Sequence, residues 1–347
     1  MSKTIDTLVN NVASFFSRSS SRQGVLRAFE KELDYGTLRT EAVVATRWLS
    51  RHGAIAKLCD ILEPVLMVFQ REDVGLFNKL REFEMIYCLH FLADILQIMT
   101  SLSLDFQKTQ LDVTMVHGIC LAAVTEIEVC FSESGTPDLN GYPVDSKGYP
   151  VIPDYGTDSG ALSALRGAVK GTSYRGVQMI RDEEGEDLRR ALEFQYAFSA
   201  SLIDTLKKRM GEQSVLFNMK VLCPNSLPLA SRDIKEYGQK EIAALAEFYG
   251  TPTNGVDALV DPRMLKVQFA KWKYQAAEWR GKSFIDHWGY MHGTDMYKDK
   301  FPSLLKVALA GMMQCSSTAA CEGILQDERG ENQVQEQDEH NHAGFSA

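Results

Sequence analysis

One short stretch concentrates reactive residue types. "QCSSTAACEGILQ", residues 314–326, places a lone carboxylate, Glu322, next to Cys321 and seven residues after Cys315. A carboxylate among thiols has the donor types of a metal centre or a proton-transfer site. The two cysteines are six positions apart and form no CxxC pair, so they read as packed thiols. Ser316, Ser317 and Thr318 are suited to accept hydrogen bonds from the free N–H groups of a helix start, and the alanines let that helix pack closely.

Other reactive groups are scattered. His287 and His292 lie near Asp286 and Asp295 but follow no recognised ligand spacing, on a segment whose glycines read as turn-rich. The pairs Glu183/Glu184 and Glu82/Glu84 have the carboxylates of acid–base chemistry, and solvated helix faces account for them more simply. The chain contains no phosphate-binding glycine loop, nucleophile elbow or His-Glu-x-x-His motif. No metal or cofactor is expected on this basis.

A second stretch, "KVQFAKWKYQAAEWRGKSFIDHWGYMHG", interleaves Trp272, Trp279 and Trp288 with Lys266, Lys271, Lys273, Arg280 and Lys282. Aromatic rings can stack on bases while cations pair with phosphates, which makes Lys271, Trp272, Lys273 and Arg280 nucleic-acid candidates. The alternative is that Phe269, Trp272 and Trp279, at helical spacing, pack into a core while the lysines face water.

These residues need elements to position them. With 347 residues, 45% hydrophobic and 24% charged, the chain can bury two or three cores. Its net charge of −9 disfavours avid nucleic-acid binding overall, although segments 1–60 and 264–306 carry more Lys and Arg than Asp and Glu. From Asp327 onward six acids face one arginine, and this polar tail, 326–347, reads as disordered. No uninterrupted apolar run approaches the roughly 20 residues of a membrane span, and the opening "MSKTIDTLVNNVASFF" is broken by Asp6, Asn10 and Asn11. The protein is therefore expected inside the cell, with no membrane partner.

Apolar periodicity predicts helices over 4–16, 25–33, 40–70 with a bend at Pro64, 76–106 and 111–131, the last two pairing as a hairpin. Segment 132–158, with "GYPV" twice, reads as a Gly/Pro-rich surface insertion. Helices follow over 185–210, 231–249, 264–279 and 301–313, with "LFNMKVLCPNSLPL" as an extended connector. The fold class is mainly α.

At "TRWLSRHGAI" (46–55), including Arg47 and Trp48, the chain resembles the hAT-superfamily transposases and the domesticated proteins descended from them. Four further blocks agree in order: "FLADILQIMTSLSLDFQ", "VLCPNSLPL", "EYGQKEIAALAEFYG" and "FPSLLKVALAGMMQCSSTAACEGIL". The resemblance implies a ribonuclease-H-like core split by a helical insertion. It assigns 1–45 to a core remnant, 46–279 to the insertion and 280–325 to a C-terminal dimerisation region. It also implies a nuclear location.

Catalysis in that family uses three carboxylates around two divalent metals, magnesium in an intact member. Only the third acid finds a match, Glu322. The first two aspartates fall upstream of the matched region, and one carboxylate does not hold two hard cations. Family members follow the glutamate with arginine and carry a Phe-Ser pair, where this chain has Gly323, Leu325 and Gln326. The expectation is a catalytically incomplete protein, not an enzyme. Its partner would be a second copy or a related hAT-type protein, met through Leu304, Leu305, Leu309, Met312, Met313, Ile324 and Leu325. Two alternatives are a DNA-binding remnant using segments 1–60 and 264–306, and a fragment of a complete transposase.

Overall fold

The computed structural model describes residues 1–34, 48–108, 113–131, 136–137, 143–144, 161–165, 171–182, 185–212, 214–253 and 255–313. The chain divides into two compact units, one of residues 1–103 and 121–208, the other of 104–120 and 209 onward. The described residues are mainly α-helical, and their strands are two antiparallel pairs of two residues per strand.

The first unit opens with α1 (Ser2–Ser17), which buries Ile5, Leu8, Val9, Val12 and Phe16, the i, i+3, i+4, i+7 stripe of an amphipathic helix. Helix α2 (Ser20–Glu32) starts where the Ser19 hydroxyl accepts from the Arg22 amide at 3.3 Å. The expected long helix is two, α3 (Trp48–Asp60) and α4 (Leu62–Glu72), parted at Ile61. The break lies where Pro64 interrupts the ladder: it has no N–H for the Asp60 carbonyl four residues back, and in the first turn of α4 that N–H is not needed. Phe69 of α4 meets Phe15 and Phe16 of α1 with ring centroids at 4.8 and 5.6 Å.

Helix α5 (Val74–Leu80) is capped by Asp73, whose carboxylate accepts from the Leu76 amide at 2.9 Å. Helix α6 (Phe83–Phe106) is apolar on almost every side and forms the axis of this core, with Phe83, Tyr87, Phe91 and Leu96 fully enclosed. Both α6 and α7 (Val113–Phe131) are long and apolar enough to cross a membrane, a length that intervening polar residues hide from a search for unbroken runs. The apolar stretch of α6 is largely buried in the protein, whereas Met115, Leu121 and Val129 of α7 are exposed.

Within the Gly/Pro-rich insertion, β1 (Thr136–Pro137) pairs with β2 (Pro143–Val144). Helix α8 (Ala161–Leu165) starts on Asp94 of α6, whose carboxylate accepts from the Ala161 and Leu162 amides at 2.7 and 3.0 Å.

A hairpin of β3 (Ser173–Tyr174) and β4 (Val177–Gln178) straps this unit together. Its turn residues Arg175 and Gly176 have φ of 45° and 73°, positive at both positions as a two-residue type I′ turn requires. The Tyr174 hydroxyl donates to His90 Nε2 at 2.9 Å, and the other ring nitrogen donates to the Ile86 carbonyl at 2.7 Å. The Arg175 guanidinium donates to the Cys59 carbonyl at 2.9 Å, closing the C-terminal end of α3. Past the hairpin, Arg181 lies 3.7 Å from the Phe83 ring centroid and pairs with Asp187 at 2.6 Å near the start of α9 (Glu186–Glu212).

In the second unit, α10 (Ser214–Phe217) leads into two 3-10 turns, Asn218–Leu222 and Pro224–Ser226. This corrects the extended connector: Met219, Val221, Leu222 and Pro224 are buried, so the segment coils compactly into the core. Next come α11 (Ser231–Ile234), α12 (Gln239–Gly250) and α13 (Pro262–Ala276), and a 3-10 turn at Ala277–Trp279. Helices α14 (Phe284–Gly293), α15 (Asp295–Lys300) and α16 (Pro302–Met313) complete the unit.

The segment read as turn-rich is therefore helical, started by Ser283, whose hydroxyl accepts from the Asp286 amide at 3.0 Å. Gly238, which begins α12 at φ +73°, has no room for a side chain, since a Cβ there would lie 2.7 Å from Phe269 Cζ. The described parts of the regions assigned to a ribonuclease-H-like core remnant and to a dimerisation region, 1–34 and 280–313, contain helices and no strand.

Candidate nucleic-acid interface

The start of α13 is fixed by local chemistry. Asp261 accepts from the Arg263 and Met264 amides at 2.7 and 3.1 Å, and Pro262 occupies the first turn, where its missing N–H costs nothing. From there Leu265, Gln268, Phe269, Trp272, Lys273 and Ala276 turn inward.

Trp272 is only 1% exposed, corrected from surface stacking platform to core residue. Its ring stacks on Trp288 of α14 at 5.3 Å, and its indole N–H donates to His287 Nε2 at 3.1 Å. An indole this enclosed offers no face to a base.

Lys273, 2% exposed, is likewise corrected from phosphate contact to structural residue. Its ammonium donates to the Lys235 and Tyr237 carbonyls at 2.5 and 3.4 Å, tying α13 to the turn ahead of α12. Burial pulls its pKa down, opposed by the charge of Glu236. Arg280 is half-buried and donates to the Pro228 carbonyl, which leaves it a bracing role. Of the four nucleic-acid candidates only Lys271 stands free in solvent.

The outward sector of α13 nevertheless forms a coherent surface. Arg263, Lys266 and Lys271 are exposed, interleaved with Met264, Val267 and Tyr274. Between Pro262 and Ala276 the helix carries four basic residues and no acid. No ion pair is formed by these three cations among the described residues. Arg263 lies just outside the basic stretch recognised in the sequence; the absence of any acid on the helix was the signal that could have found it.

Two of the seven residues expected at a dimer contact belong to the core. Leu304 and Leu305 are buried with Val307 and Ala308 in the same cluster as Trp272 and Phe301. The Gln268 side-chain oxygen accepts from the Ser303 and Leu304 amides at 2.8 and 3.1 Å, docking the start of α16 on α13. Leu309 and Met312 are partly buried, and Met313 is 80% exposed.

His287 is enclosed among Trp272, Trp279 and Trp288, and burial lowers its pKa to about 4. Its Nδ1 has no hydrogen-bond partner among the described residues. It is a packed neutral imidazole, whereas His292 is exposed, and no group of three or more metal-ligating side chains converges among the described residues. Arg47, Glu322, Ile324, Leu325 and the acidic tail lie outside the described residues, and Trp48 opens α3.

Compared with protein-family models, curated proteins and solved structures, the chain matches none.

Proposed function

We propose that this chain is a non-catalytic nucleic-acid-binding protein, of hAT-transposase descent as its ordered sequence blocks suggest, that holds a phosphate backbone on the outward face of α13. The observation that carries this reading is a 15-residue helix with four basic residues and no acid, three of whose cations face solvent beside an exposed tyrosine. Cations in such a row displace condensed counterions from DNA, and Tyr274 adds a ring on which an unpaired base can stack. Three phosphate contacts give a slope of about −3 in log affinity against log salt. Lys271→Gln is expected to lower affinity for every sequence alike and to reduce that slope by about 1. Fluorescence-anisotropy titration of a labelled oligonucleotide across a salt series measures both, and absence of binding at low salt would overturn the reading.

A second reading, association of two copies through the C-terminal region, rests on Met313, exposed at the end of α16 beside the partly buried Leu309 and Met312. With Leu304 and Leu305 enclosed, the contact would have to use this end and the residues that follow it. Light scattering on the full chain is expected to show a dimer that Met313→Glu weakens at least tenfold. A monomer at all concentrations rejects it.

A further inference from the structure

We propose that the acidic segment 327–347 occupies the outward face of α13 in the free protein, so that nucleic acid must displace part of the chain itself. This rests on the reading of α13 as a polyanion surface.

The chemistry of the two partners is complementary. The face presents Arg263, Lys266 and Lys271 without an acid on the helix, and the segment brings Asp327, Glu328, Glu331, Glu336, Asp338 and Glu339 against Arg329 alone. Apolar groups match as well, since Ile324 and Leu325 precede the acids with only Gln326 between, and Met264 and Val267 lie exposed between the cations.

The connectivity permits the contact. Helix α16 is described as far as Met313, and its beginning is bonded to Gln268 in the middle of α13. Thirteen residues, 314–326, separate that helix end from the first acid. Extended, they reach up to ~45 Å, against about 22 Å for the whole of α13. A tethered partner within such reach acts at an effective concentration of order millimolar, enough for a weak ionic contact to be populated. An untethered oligonucleotide would have to compete against it.

The test uses the full chain with the six acids neutralised (Asp327→Asn, Glu328→Gln, Glu331→Gln, Glu336→Gln, Asp338→Asn, Glu339→Gln). Two readouts are taken: oligonucleotide affinity, and the rate at which Lys266 and Lys271 are acetylated by a soluble reagent, with exposed Lys31 of the first unit as reference. Neutralisation is expected to tighten binding about tenfold and to raise acetylation of Lys266 and Lys271 severalfold, leaving Lys31 unchanged. In an Arg263→Gln, Lys266→Gln, Lys271→Gln background the gain in affinity should vanish. A gain that persists there would be a general effect of net charge and would overturn the proposal. Protection of the lysines that disappears on dilution would assign the contact to a second copy and overturn it too. If acetylation does not respond while the wild-type chain binds DNA, the tail proposal falls and the binding surface stands. If acetylation responds but neither protein binds DNA, the tail contact stands and the nucleic-acid reading falls.

Discussion

Lys271 and Lys273, two positions apart, have opposite fates. Position 273 follows Phe269 by one helical turn and shares its inward face, and the long stem carries the ammonium, 5.6 Å from the Phe269 ring centroid, to two backbone carbonyls. Lys273→Ala takes the ammonium from both carbonyls, of which that of Lys235 keeps the Gln239 side-chain amide at 3.1 Å, and is expected to destabilise the protein by about 1–3 kcal/mol. Lys271→Ala should stay within about 0.5 kcal/mol of wild type, and thermal melts of the two variants check the contrast. The spacing of the aromatic residues was enough to offer a core role for Trp272. It was not enough to predict that one lysine would follow the tryptophan inward, because that depended on carbonyls about 36 residues away in sequence. His90 and His287 add a pH dependence. Burial lowers each to about 4 from 6.5, and in His90 the nearby Arg175 charge pulls the same way while the Ile86 carbonyl opposes it. Between those values the unfolded chain binds more protons, so stability is complete above about pH 6.5 and falls as pH drops toward 4, by about 3 kcal/mol for each residue. Urea midpoints at pH 7, 5.5 and 4 should decline, and His90→Phe should flatten the decline while lowering the midpoint at pH 7.

At the scale of elements, the β3–β4 hairpin does more for the first unit than its four strand residues suggest. It holds α6 through Tyr174 and α3 through Arg175, and its outgoing strand leads to Ile180, whose amide donates to the Arg81 carbonyl at 2.9 Å and whose carbonyl accepts from the Phe83 amide at 3.0 Å. Tyr174→Phe removes the hydroxyl that donates to His90 Nε2 and is expected to cost about 1–3 kcal/mol, with faster hydrogen exchange concentrated in residues 172–181. A change in stability below 0.5 kcal/mol would show that the hairpin is not a strap. Apolar stripes made the long helices legible, as in α1, where Ile5, Leu8, Val12 and Phe16 announce the buried face. The short devices between helices were not, since Arg175 in a left-handed turn carries no pattern beyond the following glycine. The compact turns at 218–226 were misread because Pro224, with Pro228 after it, signals extended chain and their burial is decided by α12 and α16. Helix α14 was overlooked for the opposite reason: Gly289 and Gly293 read as breaks, while the Ser283 cap carried the true signal.

At the scale of the molecule, two units with separate cores share one chain, and each contains one of the buried neutral histidines. The class, mainly α, was legible because amphipathic and fully apolar helical stretches dominate the sequence. The interface on α13 was only half legible: basic and aromatic residue types marked the helix, but which of them face outward is set by α12, α14 and α16 packing on its inner side. A charge of −9 for the whole chain conceals a helix of one sign, which is why the location of charge says more here than its sum. The pairing of Trp272 with His287 has a further consequence. Three of the four tryptophans belong to the second unit, and one donates its indole hydrogen directly to an imidazole, a group whose protonated form quenches indole emission. The protein thus carries an intrinsic optical reporter of that unit, bright while the histidine is neutral and dimmed when acid reaches it.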